Sequence, residues 1–312
     1  MPQRNAFEPS LANPPSHRLG VDLGGTKTEA IVLDATGREL WRERVPTAST
    51  SAESICDGIA ALVMRAEEEV GVRCTVGVGT PGSLSPRSGL LRGSNTVVLN
   101  GLPVKQMLEG RLGRAVRIEN DANCFALSEA VDGAGRGARV VFGAILGTGV
   151  GSGIIIDGKA LIGMHGIAGE WGHNPLPWPQ ADEMPGNGAH RCYCGKDGCI
   201  ETWLSGPGQQ AHFGDGDIPL PRIVQRAADG DDAADAYLQR VEDRMARAFA
   251  SVINVLDPDV IVLGGGASNI ERFFDRVPPL LGRYVFSEFV ATRFVRNVHG
   301  DSSGVRGAAW LW

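Results

Sequence analysis

The chain lacks any uninterrupted apolar run near the roughly 18–20 residues that cross a bilayer, so no transmembrane helix and no membrane partner is expected. It also lacks a cationic surplus. Lys and Arg number 30 against 36 Asp and Glu, giving a formal net charge of −6 and a pI near 5.6. Nucleic acid is therefore not expected as the main partner, because neutralising phosphates takes clustered Lys and Arg. An anionic substrate can still bind locally. Residues 1–18 contain Pro2, Pro9, Pro14 and Pro15 and no apolar stretch of signal-peptide type, and they read as a loose tail. Cysteines are few: three fall in one short segment, while Cys56, Cys74 and Cys124 are scattered through expected helices and strands. That usage fits a reducing, cytoplasmic setting rather than a disulfide framework.

Glycine, by contrast, is abundant at 43 of 312 residues, and the hydrophobic (43%) and charged (21%) fractions are those of a globular protein. The length exceeds one ordinary core, so two α/β lobes with a cleft between them are expected. A strand over 18–22 leads into a turn at 23–28 containing Gly24, Gly25, Thr26 and Lys27, after which strand character resumes at 29–33. This is not a Walker loop, which needs Gly-x-x-x-x-Gly-Lys-Ser/Thr. A turn without Cβ atoms admits a phosphate to backbone N–H groups and the Thr26 hydroxyl, though an ordinary β-turn looks the same. The pattern recurs 123 residues later as a strand over 140–146, a turn with Gly147, Thr148, Gly149 and Gly151, and a strand over 154–156. Asp34 follows Gly24 by ten residues and Asp157 follows Gly147 by ten. Such a repeat is the outline of a duplicated fold whose two halves face one nucleotide.

The segment 169–201 holds Gly-Glu-Trp-Gly-His, then Cys192, Cys194 and Cys199, and closes on Glu201. Three thiolates and an imidazole suit a closed tetrahedral Zn²⁺ site, with His173, Cys192, Cys194 and Cys199 as ligands and glycines at 195 and 198 bending the backbone. The alternative is three buried or redox cysteines beside an unrelated histidine. Glu170 and Glu201 read as solvated acids or as carboxylates that orient the ligand histidine.

Between these landmarks, 52–70 carries Ile55, Ile59, Leu62, Val63 and Ala66 at helical spacing. A turn at 79–83 and the loop with Asn95 and Asn100 follow. A strand over 115–119 runs into Asn120 and Asp121 and then an expected helix through Val131. Asp121 is read either as a helix cap or as a general base that takes a proton from an attacking hydroxyl. Residues 205–208 read as a turn, 231–256 as a long helix, and 260–263 as a buried strand opening onto Gly264, Gly265 and Gly266 and a helix over 269–277.

Together, Gly-Glu-x-Gly-His at 169–173 with Cys-x-Cys-Gly-x-x-Gly-Cys-x-Glu at 192–201 resembles the signature of the ROK-family sugar kinases, and the repeated turns resemble the actin, hexokinase and heat-shock ATPase architecture. The resemblance covers nearly all of the chain after residue 18. It implies a two-lobed, actin/hexokinase-like (ribonuclease H-like) α/β ATPase fold, with a small lobe of 19–119 plus 301–312 and a large lobe of 120–300. It further implies Asp121 as catalytic base, with Gly82, Asn95, Asn120, Glu170, His173 and Glu201 at the sugar. ATP would lie on both glycine turns and on 264–266, with Mg²⁺ reached from Asp22 through water, a structural Zn²⁺, and a homodimer. The stretches 169–178 and 300–312 resemble the fructokinase/mannokinase branch, which implies phosphorylation of fructose, with mannose or glucose possible, at the 6-hydroxyl. Alternatives are a glucokinase or N-acetylglucosamine kinase of the same family, or a sugar-responsive non-enzymatic regulator. The last would carry an N-terminal DNA-binding domain, for which 18 residues leave no room.

Overall fold

The computed structural model describes residues 16–48, 50–214 and 218–312. In chain order they form β1 (His17–Leu23), β2 (Lys27–Asp34), β3 (Glu39–Pro46), α1 (Ala52–Val70), β4 (Thr75–Thr80), the short strands β5 (Ser83–Leu84) and β6 (Leu91–Arg92), α2 (Val104–Leu112), β7 (Val116–Asn120) and α3 (Asp121–Val131). Then follow β8 (Val140–Leu146), β9 (Val150–Ile156), β10 (Lys159–Ala160), α4 (Ile200–Leu204), α5 (Gly206–Phe213), α6 (Leu220–Ala228), α7 (Asp232–Leu256), β11 (Val260–Gly264), α8 (Glu271–Arg276), α9 (Pro278–Leu281), β12 (Arg293–Arg296) and α10 (Ser303–Ala309).

Two five-stranded sheets have the same plan, β3-β2-β1-β4-β7 and β10-β9-β8-β11-β12. In each, a central antiparallel hairpin, β1–β2 or β8–β9, is flanked by two further strands that run parallel to its first strand. The repeat read from the two glycine turns is thus a repeat of whole sheets. One face of the first sheet packs on α1 and α2 through Leu19, Val21, Val76, Ile55, Ile59 and Leu108. Its other face receives α10 through Ile31, Leu33, Val305 and Ala309. In the second sheet, Phe142, Ala144 and Leu263 pack on Met245 and Phe249 of α7, and α3 covers the opposite face through Phe125, Ala126 and Val262. Helices α3 and α10 lie against each other between the sheets.

Local sequence explains the main helices. Ser51 caps α1 in a reciprocal capping box with Ser54, and Gly71 ends it in the left-handed conformation. The Asp231 side chain accepts from the amides of Ala233 and Ala234 to start α7. The apolar face expected in α1 is buried, and α7 buries Leu238, Val241, Met245, Phe249 and Ile253 at helical spacing, with Val252 partly covered.

Several expectations need correction. Residues 1–15 lie outside the described residues, but the expected tail to residue 18 does not hold at its end, because His17 and Arg18 already belong to β1. Arg18 is buried, donates to the Trp312 carbonyl at 3.1 Å and stands over the Trp310 ring. Lys27 and Thr28 belong to β2, leaving a tighter turn at 24–26. The residues 205–208 begin α5, with Ser205 as its cap and Pro207 in its first turn. The helix expected at 269–277 is split into a 3₁₀ turn, Gly266–Asn269, and α8, because Ile270 between them is extended. Many glycines serve packing rather than ligand turns: a Cβ on Gly20 or Gly77 would lie 2.1 or 1.9 Å from carbonyl oxygens of α10. Among the described residues no helix is long and apolar enough to cross a membrane.

Candidate active site

The two hairpin turns and the end of β7 converge on one cleft. Gly24 N donates to the Lys27 carbonyl at 3.0 Å, and Gly147 N to the Gly149 carbonyl at 3.0 Å, so both turns are closed by their own backbone. A cavity of about 330 Å³ is lined by Asp22, Gly24, Gly25, Asn95, Asp121, Gly265, Ser303 and Gly304. A Cβ on Gly25 would meet nothing within 4 Å, which leaves open space at this turn. A second cavity of about 310 Å³ is lined by Gly82, Asn95, Asn120, Asp121, Gly147, Thr148, Gly149, Gly151, Glu170, His173, Tyr193 and Glu201. Asp121 and Asn95 belong to both. A third, of about 430 Å³, runs from Gly147 and Thr148 past Gln209, Gln210 and Pro219 to Gly266 and Ala267. Three compartments therefore adjoin, with Asp121 at one junction and the Gly147-Thr148 turn at another.

Asn120 and Asp121 divide the labour at the start of α3. The Asn120 side chain is the cap: its Oδ1 accepts from Ala122 N at 2.9 Å and Asn123 N at 3.4 Å, and its Nδ2 donates to the Gly82 carbonyl at 3.0 Å. Asp121, expected as either cap or base, is released from capping. It accepts from Ala122 N at 2.8 Å and is open to the cleft at its surface. Protein nonetheless surrounds it on the scale that governs solvation. Desolvation, reinforced by the nearby Glu170 charge, raises its carboxyl above the ordinary aspartate value. Asp22 behaves likewise, pushed up to about 7 by burial and then by Asp121 and Glu29. Glu119, whose Oε1 accepts from Asn120 N and Asn123 Nδ2, is also raised by burial.

The opposite wall is a loop pinned at both ends. Trp171 is buried between Phe142 of β8 and Phe249 of α7, fixing the 3₁₀ turn Trp171–His173 that presents Glu170 and His173. The return arm reverses tightly, with Cys192 N donating to the Lys196 carbonyl at 2.8 Å and Gly195 N to the Cys192 carbonyl at 3.0 Å. Gly195 (φ 89°) and Gly198 (φ 70°) both need the left-handed region. Glu201, in the first turn of α4, accepts from Val150 N at 3.0 Å. A Cβ on Gly149 would lie 3.0 Å from its carboxylate.

The ligand atoms of His173, Cys192, Cys194 and Cys199 all lie within 4.8 Å of one another. Cys194 Sγ is 3.5 Å from Cys199 Sγ, and His173 Nδ1 is 3.6 Å from Cys192 Sγ. The edges of a tetrahedral zinc site with Zn–S near 2.3 Å and Zn–N near 2.0 Å are about 3.5–3.8 Å. The donor set and its spacing therefore fit Zn²⁺, and all three thiols are free of disulfides.

Not every expected residue reaches the cleft. Thr26 and Lys27 stand exposed at the first turn and line none of these cavities. Gly264 lies in β11, where a Cβ would strike the Phe125 ring at 2.5 Å, so its missing side chain admits α3 rather than a ligand. Sequence reasoning passed over Ser152, Tyr193, Ser303 and Gly304. Of these, Ser303 and Gly304 had a readable signal, standing in the 300–312 segment that carries the branch resemblance.

The ROK family model matches residues 18–312. An N-acetyl-D-glucosamine kinase of Salmonella gallinarum is 40% identical over 299 residues, covering 94% of this chain and 98% of the relative. Among solved structures, the ROK hexokinase of Thermus thermophilus matches with a TM-score of 0.84 and 32% identity over 94% of this chain and 97% of that one. A ROK glucokinase of Streptomyces griseus, in complex with glucose and AMPPNP, matches with a TM-score of 0.73 and 31% identity over 95% and 98%. The two-sheet architecture is thus the expected actin/hexokinase-like one, and the chain belongs to the ROK family as an ATP-dependent sugar kinase.

Proposed function

We infer that the chain transfers the γ-phosphoryl group of MgATP to the 6-hydroxyl of D-fructose. One observation carries the site reading: Asp121, relieved of capping by Asn120, is shared between the cavity bordered by Asp22 and Gly25 and the cavity bordered by Glu170, His173 and Glu201. In that arrangement the carboxylate takes the hydroxyl proton as the oxygen attacks phosphorus, with no covalent enzyme intermediate. Gly24, Gly25, Gly147, Thr148, Gly149 and Gly151 offer backbone and hydroxyl donors to the phosphates. Gly265 and Gly266 border the nucleoside side. Mg²⁺ is held mainly by phosphate oxygens, with Asp22 reaching it through water. Gly82, Asn95, Asn120, Glu170, His173 and Glu201 hold the sugar. Bound zinc would supply a rigid brace for 169–201 through His173, Cys192, Cys194 and Cys199, and take no part in the chemistry.

The lobes are taken as 19–119 with 301–312, and 120–300. The packing of α10 on the first sheet and of α3 on the second supports this division. Exposed Met164 and Phe286 support a homodimer, and a cluster that requires reduced thiols supports a cytoplasmic place of work.

Fructose rests on the stretches 169–178 and 300–312. A second reading, N-acetylglucosamine, is favoured by the 40% identity to kinases named for that sugar. Initial rates of ADP release with fructose, mannose, glucose and N-acetylglucosamine separate the two. Fructose is expected to give the highest kcat/KM, and finding it the poorest of the four rejects the assignment.

A further inference from the structure

One aromatic side chain in the acceptor cavity belongs to no expected role. Tyr193 sits between two members of the thiol cluster, Cys192 and Cys194, and is 83% exposed into the cleft. Its hydroxyl lies 2.9 Å from His173 Nε2, the nitrogen turned away from the cluster, and the two rings meet edge-on with centroids 5.0 Å apart. The backbone on both sides is tied into the cluster and the tip is tied to His173, so the ring has little freedom to swing aside. Large exposed aromatics held in this way at a binding cleft act as walls.

The cavity linings set Tyr193 on the side of the acceptor cavity away from the one beside Asp22. Asp121 is common to the acceptor cavity and the one beside Asp22, whereas Tyr193, His173, Glu170 and Glu201 border the acceptor cavity and not the one beside Asp22. A hexose whose 6-hydroxyl points at Asp121 turns its far end, carbons 1 and 2, toward Tyr193. A 2-acetamido group would add its bulk at that end.

We propose that Tyr193 is a specificity-determining residue that admits hexoses bearing only hydroxyl or carbonyl groups at carbons 1 and 2 and rejects 2-acetamido sugars by occupying the space the acetamido group needs. The inference rests on the acceptor lying in this cavity with its 6-hydroxyl at Asp121. Discrimination then comes from a built obstruction rather than from an added attraction.

The test measures kcat/KM for fructose and N-acetylglucosamine, and the dissociation constant of each sugar by calorimetry, in the wild type, Tyr193→Gly and Tyr193→Phe, with zinc content and melting temperature as checks on folding. Tyr193→Gly is expected to shift the N-acetylglucosamine-to-fructose ratio toward the acetamido sugar by about ten-fold or more, in binding as well as turnover, as opening a pocket by a side-chain volume does. Tyr193→Phe keeps the ring and should hold the ratio within about two-fold of wild type. A folded, zinc-loaded Tyr193→Gly with an unmoved ratio overturns the proposal and leaves the fructose reading intact, and equal loss of discrimination in Tyr193→Phe overturns the steric role. A wild type that favours mannose or glucose but rejects N-acetylglucosamine overturns fructose as substrate and supports the role of Tyr193, whereas a wild type that favours N-acetylglucosamine overturns both.

Discussion

Two sets of desolvated carboxylates in this protein are driven in opposite directions. Asp22 and Asp121 in the cleft, and Glu119 at the end of β7, are desolvated with too little positive charge to compensate, and all three are raised. Glu183 lies in the strap between His173 and Cys192 and is fully buried, but both its oxygens are engaged. Arg244 Nε donates to it at 2.7 Å, and Arg247 donates twice, at 2.8 and 3.0 Å. Burial alone would raise Glu183, yet the hydrogen bonds from Arg247, the Gln180 amide and Arg244 overcome it and hold the carboxyl near 2. The contrast separates two uses of a buried acid. The Glu183 charge is fully matched and fixes the strap to α7, whereas the cleft charges are left unmatched where the proposed mechanism places a metal-bound triphosphate and an attacking hydroxyl.

The largest effect expected from breaking this contrast is on catalysis. Asp121→Ala should lower kcat by about 10³–10⁴-fold, the range of a lost general base, with sugar binding retained and thermal stability no worse because an unmatched charge is removed. Near-normal kcat would reject the assignment. Next comes the matched charge: Glu183→Ala takes the buried carboxylate from Arg244 and Arg247, leaving Arg247 with Asp243 and two carbonyls, and should cost about 3 kcal/mol of stability, read by thermal or denaturant unfolding. Because the strap carries a cluster residue at each end, KM for the sugar should rise more than KM for ATP. If both constants rise equally, the strap does not serve the acceptor side specifically.

How much of this was legible beforehand depends on the range of the interaction. The duplicated hairpins, the Cys₃His cluster and Asp121 all announce themselves in a few contiguous residues, because turn chemistry and ligand spacing are local properties. The division of labour between Asn120 and Asp121 is equally local, yet either side chain could cap α3, and only the bond from Asn120 Nδ2 to Gly82 decides it. Glu183 with Arg244 and Arg247 spans 61 and 64 residues and left no sequence pattern. Glycine misled in proportion to its count. Gly20 and Gly77 are demanded by helix α10, which arrives from the far end of the chain, and Gly307 of α10 by Cys124 of α3, and composition cannot tell such demands from a phosphate turn. Tyr193 was overlooked because the cysteines on either side of it drew the reading.

The smallest effect expected is the most diagnostic of the cleft. Asp22 has its ordinary value of 3.8 raised to about 7, so the folded state holds a proton there that the unfolded chain has released. Between those two values the unfolded state binds fewer protons than the native state, and stability from this group falls as pH rises. Glu183 has the opposite sign, adding stability above its ordinary value of 4.5 that is lost as pH falls toward 2. Asp22→Asn removes the unmatched charge while keeping the shape. At pH 8 the variant should therefore melt higher than wild type by about 2–4 °C, roughly 1 kcal/mol after allowance for water in the cleft. At pH 5, where the wild-type carboxyl is protonated, the gap should close. The same variant should turn over more slowly if, as proposed, the negative charge that costs stability is the one offered to the metal–nucleotide complex. A variant that melts below wild type at pH 8 would mean that Asp22 is satisfied in the resting protein, and the distinction between matched and unmatched acids would fail at the residue where it is most exposed to test.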